Sequence, residues 1–287
     1  MTRIAILGLG AMGARMAARL LDAQLPLTVY NRSPERCAPL AERGARVASS
    51  PREAAADAEL VISMVTDDAA SRALWTDPER GALLGLRPDA IAIESSTASP
   101  AWIAELARHV HETGATLLDA PVAGSRPQAE AGQLIYMVGG DAAAFARVEP
   151  ILGHMGKAVR HVGATGAGAS LKLAVNAMFA IELAAFTQCV DMLARSGFER
   201  PRALELLAAM PITSPAVAGV SKLIAAERYA PLFPIDLVEK DLRYAAAHAT
   251  AQGSAATMAA AAWAVYAEAR ARGLGAENIH AIAKLNQ

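Results

Sequence analysis

Six residues near the N-terminus limit the architectures open to this chain. Residues 3–7 read RIAIL, a short apolar run suited to a buried strand. Gly8-Leu9-Gly10-Ala11-Met12-Gly13 follows at once, ahead of a helical pattern over residues 14–25. Strand, glycine turn and helix in that order form a dinucleotide-binding unit. Gly8 permits the tight turn, Gly10 lets the backbone approach a pyrophosphate, and Gly13 lets the helix pack close to the strand. Ala11 and Met12 complete the cofactor loop, and the N–H groups that open the helix are placed to meet phosphate. A glycine turn without a ligand is the plainer alternative, but the N-terminal position and the flanking patterns favour the cofactor.

The next strand, residues 27–30, runs into Asn31-Arg32-Ser33. In the NAD form of this unit an acidic residue near this point holds the adenosine ribose. Here an arginine stands between two hydrogen-bonding residues instead. A guanidinium can stack on adenine and pair with a 2′-phosphate in bidentate fashion. Asn31, Arg32 and Ser33 therefore predict NADP, with NAD the less favoured cofactor. As a plain surface turn, Arg32 would do neither.

Strand and helix patterns then alternate. Helices are expected over 34–43, from 51 to 56, over 68–74, from 100 to about 111 and from 141 to about 152. Strands are expected at Val47 and over 60–65, 90–94, 116–118, 134–138 and 159–162. This is the pattern of a doubly wound α/β sheet. Met64 and Val65 close the run LVISMV at the carboxyl edge of that sheet, where cofactors lie. Ser95, Ser96 and Thr97 end the next strand, and small hydroxyl residues there can cap a helix or face a nicotinamide. Residues 119–133 read as a structured loop.

From residue 166 onward no strand is expected. The chain has 287 residues, 54% of them hydrophobic, enough for two domains. These are a Rossmann-like NADP-binding domain over 1–165 and an all-helical domain over 166–287. The helical domain opens with a proline-free helix over 169–195. Further helices are expected over 202–209, 214–226, 235–251, 254–272 and 277–284. Near the start of the long helix, Lys172 and Asn176 lie four residues apart and so on one face. An ammonium among Leu171, Leu173, Val175 and Phe179 is costly to bury unless it has work or a partner. The plain alternative is a lysine that points to water.

Lys and Arg number 27 against 28 Asp and Glu, a net charge of −1, which gives no electrostatic reason to expect nucleic acid or an anionic membrane as partner. Cys37 and Cys189 lack metal-type spacing, and a reducing cytoplasm fits them. No run reads as a secretory signal or as long enough to span a bilayer. The six histidines are scattered, each read as surface or capping, and no metal site is expected. Trp75, Trp102 and Trp263 read as packing residues. Arg126 either faces a substrate or is a solvated loop charge.

GLGAMG, ESSTASP at 94–100, DAPVAGS at 119–125, GAGASLKLAVN at 166–176 and FPIDLVEKDL at 233–242 occur in a characteristic order and spacing. In these the chain resembles the β-hydroxyacid dehydrogenases over nearly its whole length. That family includes 3-hydroxyisobutyrate dehydrogenase, tartronate semialdehyde reductase and the glyoxylate/succinic semialdehyde reductases. The resemblance implies that Lys172 is the catalytic lysine and that Asn176 helps hold the substrate. It implies that Thr97 contacts the cofactor, that Lys240 is a second lysine near cofactor and active site, and that Phe233 borders the substrate pocket. Val122, Ala123, Gly124 and Ser125 resemble the segment that grips the substrate carboxylate. Ala123 departs from the family's usual serine, so Ser125 or Arg126 takes over that grip, or the substrate lacks a carboxylate there. The SRPQAEAGQL wording and Asn31-Arg32-Ser33 lean toward the glyoxylate/succinic semialdehyde group.

The expected function is NADP(H)-preferring hydride transfer to or from a small 3-hydroxyacid or aldehyde acid. Lys172 would serve as general acid and base if burial and Lys240 lower its pKa. Two alternatives stay open. Imine reductases share the architecture but usually carry aspartate or tyrosine where Lys172 stands. A non-catalytic interaction module is disfavoured by retention of that lysine. The alanine-rich helical half and the resemblance imply a homodimer or tetramer, with a small-molecule substrate as partner and neither nucleic acid nor membrane.

Overall fold

The computed structural model describes residues 2–286. The chain divides into two compact units, Met1–Lys172 and Leu173–Gln287.

In the first unit, β1 (Ile4–Leu7), β2 (Leu27–Tyr30), β3 (Arg46–Val47), β4 (Leu60–Ser63), β5 (Ile91–Glu94) and β6 (Thr116–Asp119) are parallel, in the order 3-2-1-4-5-6. The chain builds outward from one side of β1, then returns to its other side with β4. That reversal leaves a crevice at the carboxyl ends of β1 and β4, where a doubly wound sheet takes its ligand. The sheet is completed by β7 (Val122–Ala123) and β8 (Leu134–Gly140), antiparallel to each other, and by β9 (Gly156–Gly163), parallel to β8.

Every residue of β1, β4 and β5 is buried, as expected of parallel strands covered on both faces. Alternation sorts their side chains. Ile4, Ile6, Ile62 and Ile93 pack with Met16 and Leu20 of α1 (Gly13–Asp22) and with Val148 and Leu152 of α7 (Ala142–Leu152). Ala5, Leu7, Val61 and Ala92 pack on the other face. Their partners lie on α3 (Pro51–Ala56), α4 (Asp68–Thr76) and α5 (Pro100–Glu112), with Trp75 and Trp102 the largest. Ser50, Asp67, Ser99 and Asp141 each accept a backbone N–H at the start of α3, α4, α5 and α7. Such caps are worth about 1 kcal/mol each.

Two of the expected segments differ in the structure. The expected helix over 34–43 breaks into a 3₁₀ turn, Pro34–Cys37, and the single turn of α2 (Ala38–Ala41), which contains Pro39 with no N–H to donate. The expected loop over 119–133 contains β7 and also α6 (Arg126–Glu130), which is started by a capping box between Ser125 and Gln128.

The second unit is built on α8 (Ala167–Arg195), which begins in the first unit, and on α9 (Arg200–Ala208), α10 (Pro215–Ala225), α11 (Ile235–Ala251) and α12 (Thr257–Ala269). Ala180, Leu183 and Val190 of α8 join Val217, Val238, Leu242 and Tyr266 in its core. At 29 residues, α8 is long and apolar enough to cross a bilayer by length and composition, which corrects the reading that no run reached that size. Half of its most apolar window is buried within the fold, as in a core helix. The last segment, expected over 277–284, is a 3₁₀ helix, Ile279–Asn286.

One buried polar group fixes the entry to α11. Asn278 Oδ1 accepts from Leu232 N and Phe233 N at 3.1 and 2.7 Å, so its Nδ2 must face His280 Nδ1, 2.9 Å away. The ring then accepts at Nδ1 and donates from Nε2 to the Arg228 carbonyl. Burial lowers the pKa of His280, which suits this neutral form. His280 is fully buried, so the surface-or-cap reading of the histidines fails for it.

Candidate active site

The glycine turn follows β1 with Gly8 at φ +99°. A Cβ at Gly8 would stand 2.4 Å from the Met64 carbonyl oxygen, and one at Gly13 would stand 1.9 Å from that of Gly8. Both glycines are required by the protein itself. Gly10 differs, because a Cβ there would meet nothing within 4 Å. The fold alone does not demand a glycine at this position, whereas a ligand lying against the backbone would. No side chain caps α1, and its first turn holds no acidic residue. Its N-terminus, with Ala11 and Met12 at the turn, is left suited to an anion.

The residues expected at the adenosine end divide by role. Asn31 accepts from Leu9 N at 2.9 Å and donates to the Ser33 carbonyl at 2.9 Å, so its amide braces the glycine turn against the end of β2. Arg32 is exposed, and Ser33 is half-buried. Met64 and Val65, expected inside the strand, follow β4 as half-buried loop residues. Thr97 is half-buried in the loop between β5 and α5.

In the segment expected to hold substrate, Val122 is buried in β7 and Ala123 pairs with Ile135. Gly124 is exposed at φ +120°, and a Cβ there would crowd Leu134 and Gln128 at 3.0 and 3.1 Å. Ser125 opens α6, its N–H donating to Gln128 Oε1.

Asp119 was not among the candidates, yet it anchors the helix that carries Lys172. Its Oδ1 accepts from Gly166 N and its Oδ2 from Ala169 N, each at 2.7 Å. The carboxyl is fully buried, and burial pushes its pKa up to about 6 against the opposing pull of these N–H groups. Close approach is needed here. A Cβ at Gly168 would stand 2.3 Å from the Met137 carbonyl oxygen. Lys172 lies three residues beyond Ala169, only 9% exposed, and Asn176 follows one turn later at 8%.

Within the second unit, Asn176 Nδ2 donates to Asp241 Oδ2 at 2.6 Å, and the other oxygen of Asp241 pairs with Lys240 Nζ at 3.0 Å. The ammonium of Lys240 also lies 5.4 Å from the centre of the Tyr244 ring. Lys240 and Asp241 are both buried on α11. Sequence reasoning named the lysine of this pair and gave its neighbour no role. Phe233 is half-buried against the core of this unit, and its N–H is held by Asn278. Among the described residues, no group of three His, Cys, Asp or Glu is placed to hold a metal ion.

Residues 3–163 match the NAD binding domain of 6-phosphogluconate dehydrogenase, and residues 166–286 match the NAD-binding domain of NADP-dependent 3-hydroxyisobutyrate dehydrogenase. The chain belongs to the β-hydroxyacid dehydrogenase family. Among curated members, glyoxylate/succinic semialdehyde reductase 2 of Arabidopsis thaliana is 31% identical over 97% of this chain and 78% of its own length. The 3-hydroxyisobutyrate dehydrogenase of Mycobacterium tuberculosis, solved with L-serine, matches at a TM-score of 0.90 and 30% identity, with 99% of each chain covered. An imine reductase from a Pseudomonas species, at a TM-score of 0.63 and 22% identity over 100% of this β-hydroxyacid dehydrogenase and 99% of its own chain, shares the fold alone.

Proposed function

We propose that this β-hydroxyacid dehydrogenase transfers a hydride between NADP(H) and a small 3-hydroxyacid or aldehyde acid, with Lys172 as its general acid and base. The observation that carries the reading is the buried lysine one helical turn before Asn176, whose amide is held by the Asp241–Lys240 pair. The cofactor fits the first unit. Gly8 and Gly13 close the turn tightly, Gly10 leaves room for a ligand against its backbone, and α1 presents an uncapped N-terminus.

A bound nicotinamide supplies the hydride in reduction and takes it back in oxidation. As the carbonyl oxygen gains negative charge, the Lys172 ammonium stabilises it and delivers the proton. In the reverse direction the neutral amine accepts the hydroxyl proton. Asn176 donates to Asp241, which fixes the amide and leaves its carbonyl oxygen to orient the lysine or accept from a substrate hydroxyl. Thr97, Met64, Val65 and Lys240 line the cofactor in this reading. Val122, Ala123, Gly124, Ser125 and Phe233 line the substrate, with Ser125 or Arg126 supplying the carboxylate grip that Ala123 lacks.

NADP preference rests on Arg32, which is exposed beside the braced glycine turn where NAD enzymes carry an acid. Arg32→Ser is expected to raise KM for NADPH by on the order of ten- to a hundredfold, the worth of one charge-assisted hydrogen bond, with KM for NADH nearly unchanged. Steady-state kinetics with both cofactors checks this, and equal losses for both would remove Arg32 from the 2′-phosphate. The substrate class is tested by turnover of NADPH with a panel of short semialdehydes, hydroxyacids and cyclic imines. Faster turnover of imines than of every hydroxyacid and semialdehyde would reverse the assignment.

A homo-oligomer is part of the proposal. Leu171, Val175 and Met178, 40%, 40% and 71% exposed, share one face of α8, and Ile212 is 90% exposed. Light scattering is expected to give a dimer or tetramer, and a monomer at working concentration would sink this part.

A further inference from the structure

We propose that Glu94 is a positioning residue for the nicotinamide end of the cofactor, acting through Ser96 on the two loops that follow β4 and β5. The inference rests on the reading above, in which Val65 and Thr97 on those loops face the cofactor.

Glu94 ends β5 directly opposite Ser63 of β4 and is fully buried. A carboxylate at that depth is costly unless donors surround it. Its Oε2 accepts from Ser71 Oγ at 2.5 Å and Trp75 Nε1 at 3.0 Å, and its Oε1 accepts from Ser96 N at 2.9 Å. The Ser71 hydroxyl itself accepts from Trp102 Nε1 at 2.8 Å, which leaves its hydrogen committed to Glu94. On the far side, Ser96 Oγ accepts from Val65 N at 2.8 Å. A continuous set of hydrogen bonds thus runs from α4 and α5 through Glu94 and Ser96 to the loop after β4. Thr97 is the next residue after Ser96, and Met64, beside Val65, presents the carbonyl against which Gly8 is packed. Loops from three neighbouring strands take their positions from this network. An apolar filling would stabilise the sheet as well or better, so two indole N–H groups converging on one carboxyl system point to geometry as the purpose.

Both oxygens of Glu94 must accept. Glutamine has one acceptor oxygen, so Glu94→Gln sets an amide N–H against either Ser96 N–H or the Trp75 and Ser71 donors, and one end of the network opens. Ser96→Ala removes only the acceptor for Val65 N and leaves Glu94 with all three donors, which tests the same idea if Glu94→Gln does not fold. The full-length wild type and both variants would be measured for NADPH fluorescence on binding, for 2′,5′-ADP affinity, for kcat with the best carbonyl substrate and for Tm. The expected result is a loss of the wild-type change in nicotinamide fluorescence and a fall in kcat of about tenfold or more, because small misplacements at the reacting end are costly. Affinity for 2′,5′-ADP, which reports the adenosine end, stays within about twofold. Unchanged fluorescence and kcat would overturn the proposal. So would a parallel loss of 2′,5′-ADP affinity and Tm, because that pattern marks a residue needed only for the core. Wild-type protein that binds NADPH but turns over no hydroxyacid or semialdehyde would count against the proposed reaction, while the fluorescence comparison would still decide the role of Glu94.

Discussion

Lys172→Ala is expected to lower kcat by on the order of 10²- to 10⁴-fold, the usual worth of a positioned general acid and base, while NADPH binds as in the wild type. The physical basis is the cost of the native arrangement. The lysine is 91% out of solvent, on a helix whose first turn is held by Asp119. A lysine is costly to place at that depth unless it has work or a partner, which is why its removal should be felt in turnover. Lys172→Arg supplies a second arm. Arginine keeps the charge but holds its proton too tightly to cycle it, so the loss should remain large. Turnover near the parental rate in the alanine variant would end the assignment. Recovery of activity in the arginine variant alone would recast Lys172 as a fixed charge rather than a proton carrier.

The second large effect concerns Asp119 and pH. Two influences compete at this carboxyl. The N–H groups at the start of α8 favour the ion, and burial favours the acid. Burial prevails and raises the folded-state pKa from 3.8 to about 6. The folded protein therefore holds a proton on this group that the unfolded chain has already released. The stabilising contribution is complete below pH about 4 and is lost as pH rises through about 6. Asp119→Asn removes the titration. The stability of wild type relative to this variant should therefore grow by about 2 kcal/mol between pH 7 and pH 4.5. Denaturant melts of both proteins across that range measure the difference directly. A flat difference would mean that the site does not titrate there, and the opposite slope would mean that the N–H donors, not burial, set the pKa.

Much of the architecture was legible in the residues. The glycine turn, the alternation of strand and helix and the strandless second half each follow from local pattern, and the first six strands are parallel, as such alternation implies. The anchoring residues were hidden for a physical reason. Asp119 meets Gly166 across 47 positions, Asn176 meets Asp241 across 65, and Asn278 meets Phe233 across 45. Nothing within a helix-length window around Asp119 or Asp241 distinguishes it from a surface acid. Asn31 shows the limit from the other side. Its place after β2 was legible, whereas its use as a brace for Leu9 depends on a turn 22 residues earlier. The two residues of β7 carry too short a pattern to reveal a strand, because their order comes from pairing with β8.

The carboxylate clamp on α8 reverses an ordinary property of helices. First turns normally fray, since their N–H groups have no partner within the helix. In this protein the amides of Gly166 and Ala169 are closed by Asp119 inside the sheet domain's core. Deuterium should therefore enter the start of α8 as slowly as it enters β5. Exposed Arg195 ends the same helix and should exchange near its rim. The most protected turn of the longest helix is then the one that leads directly into Lys172.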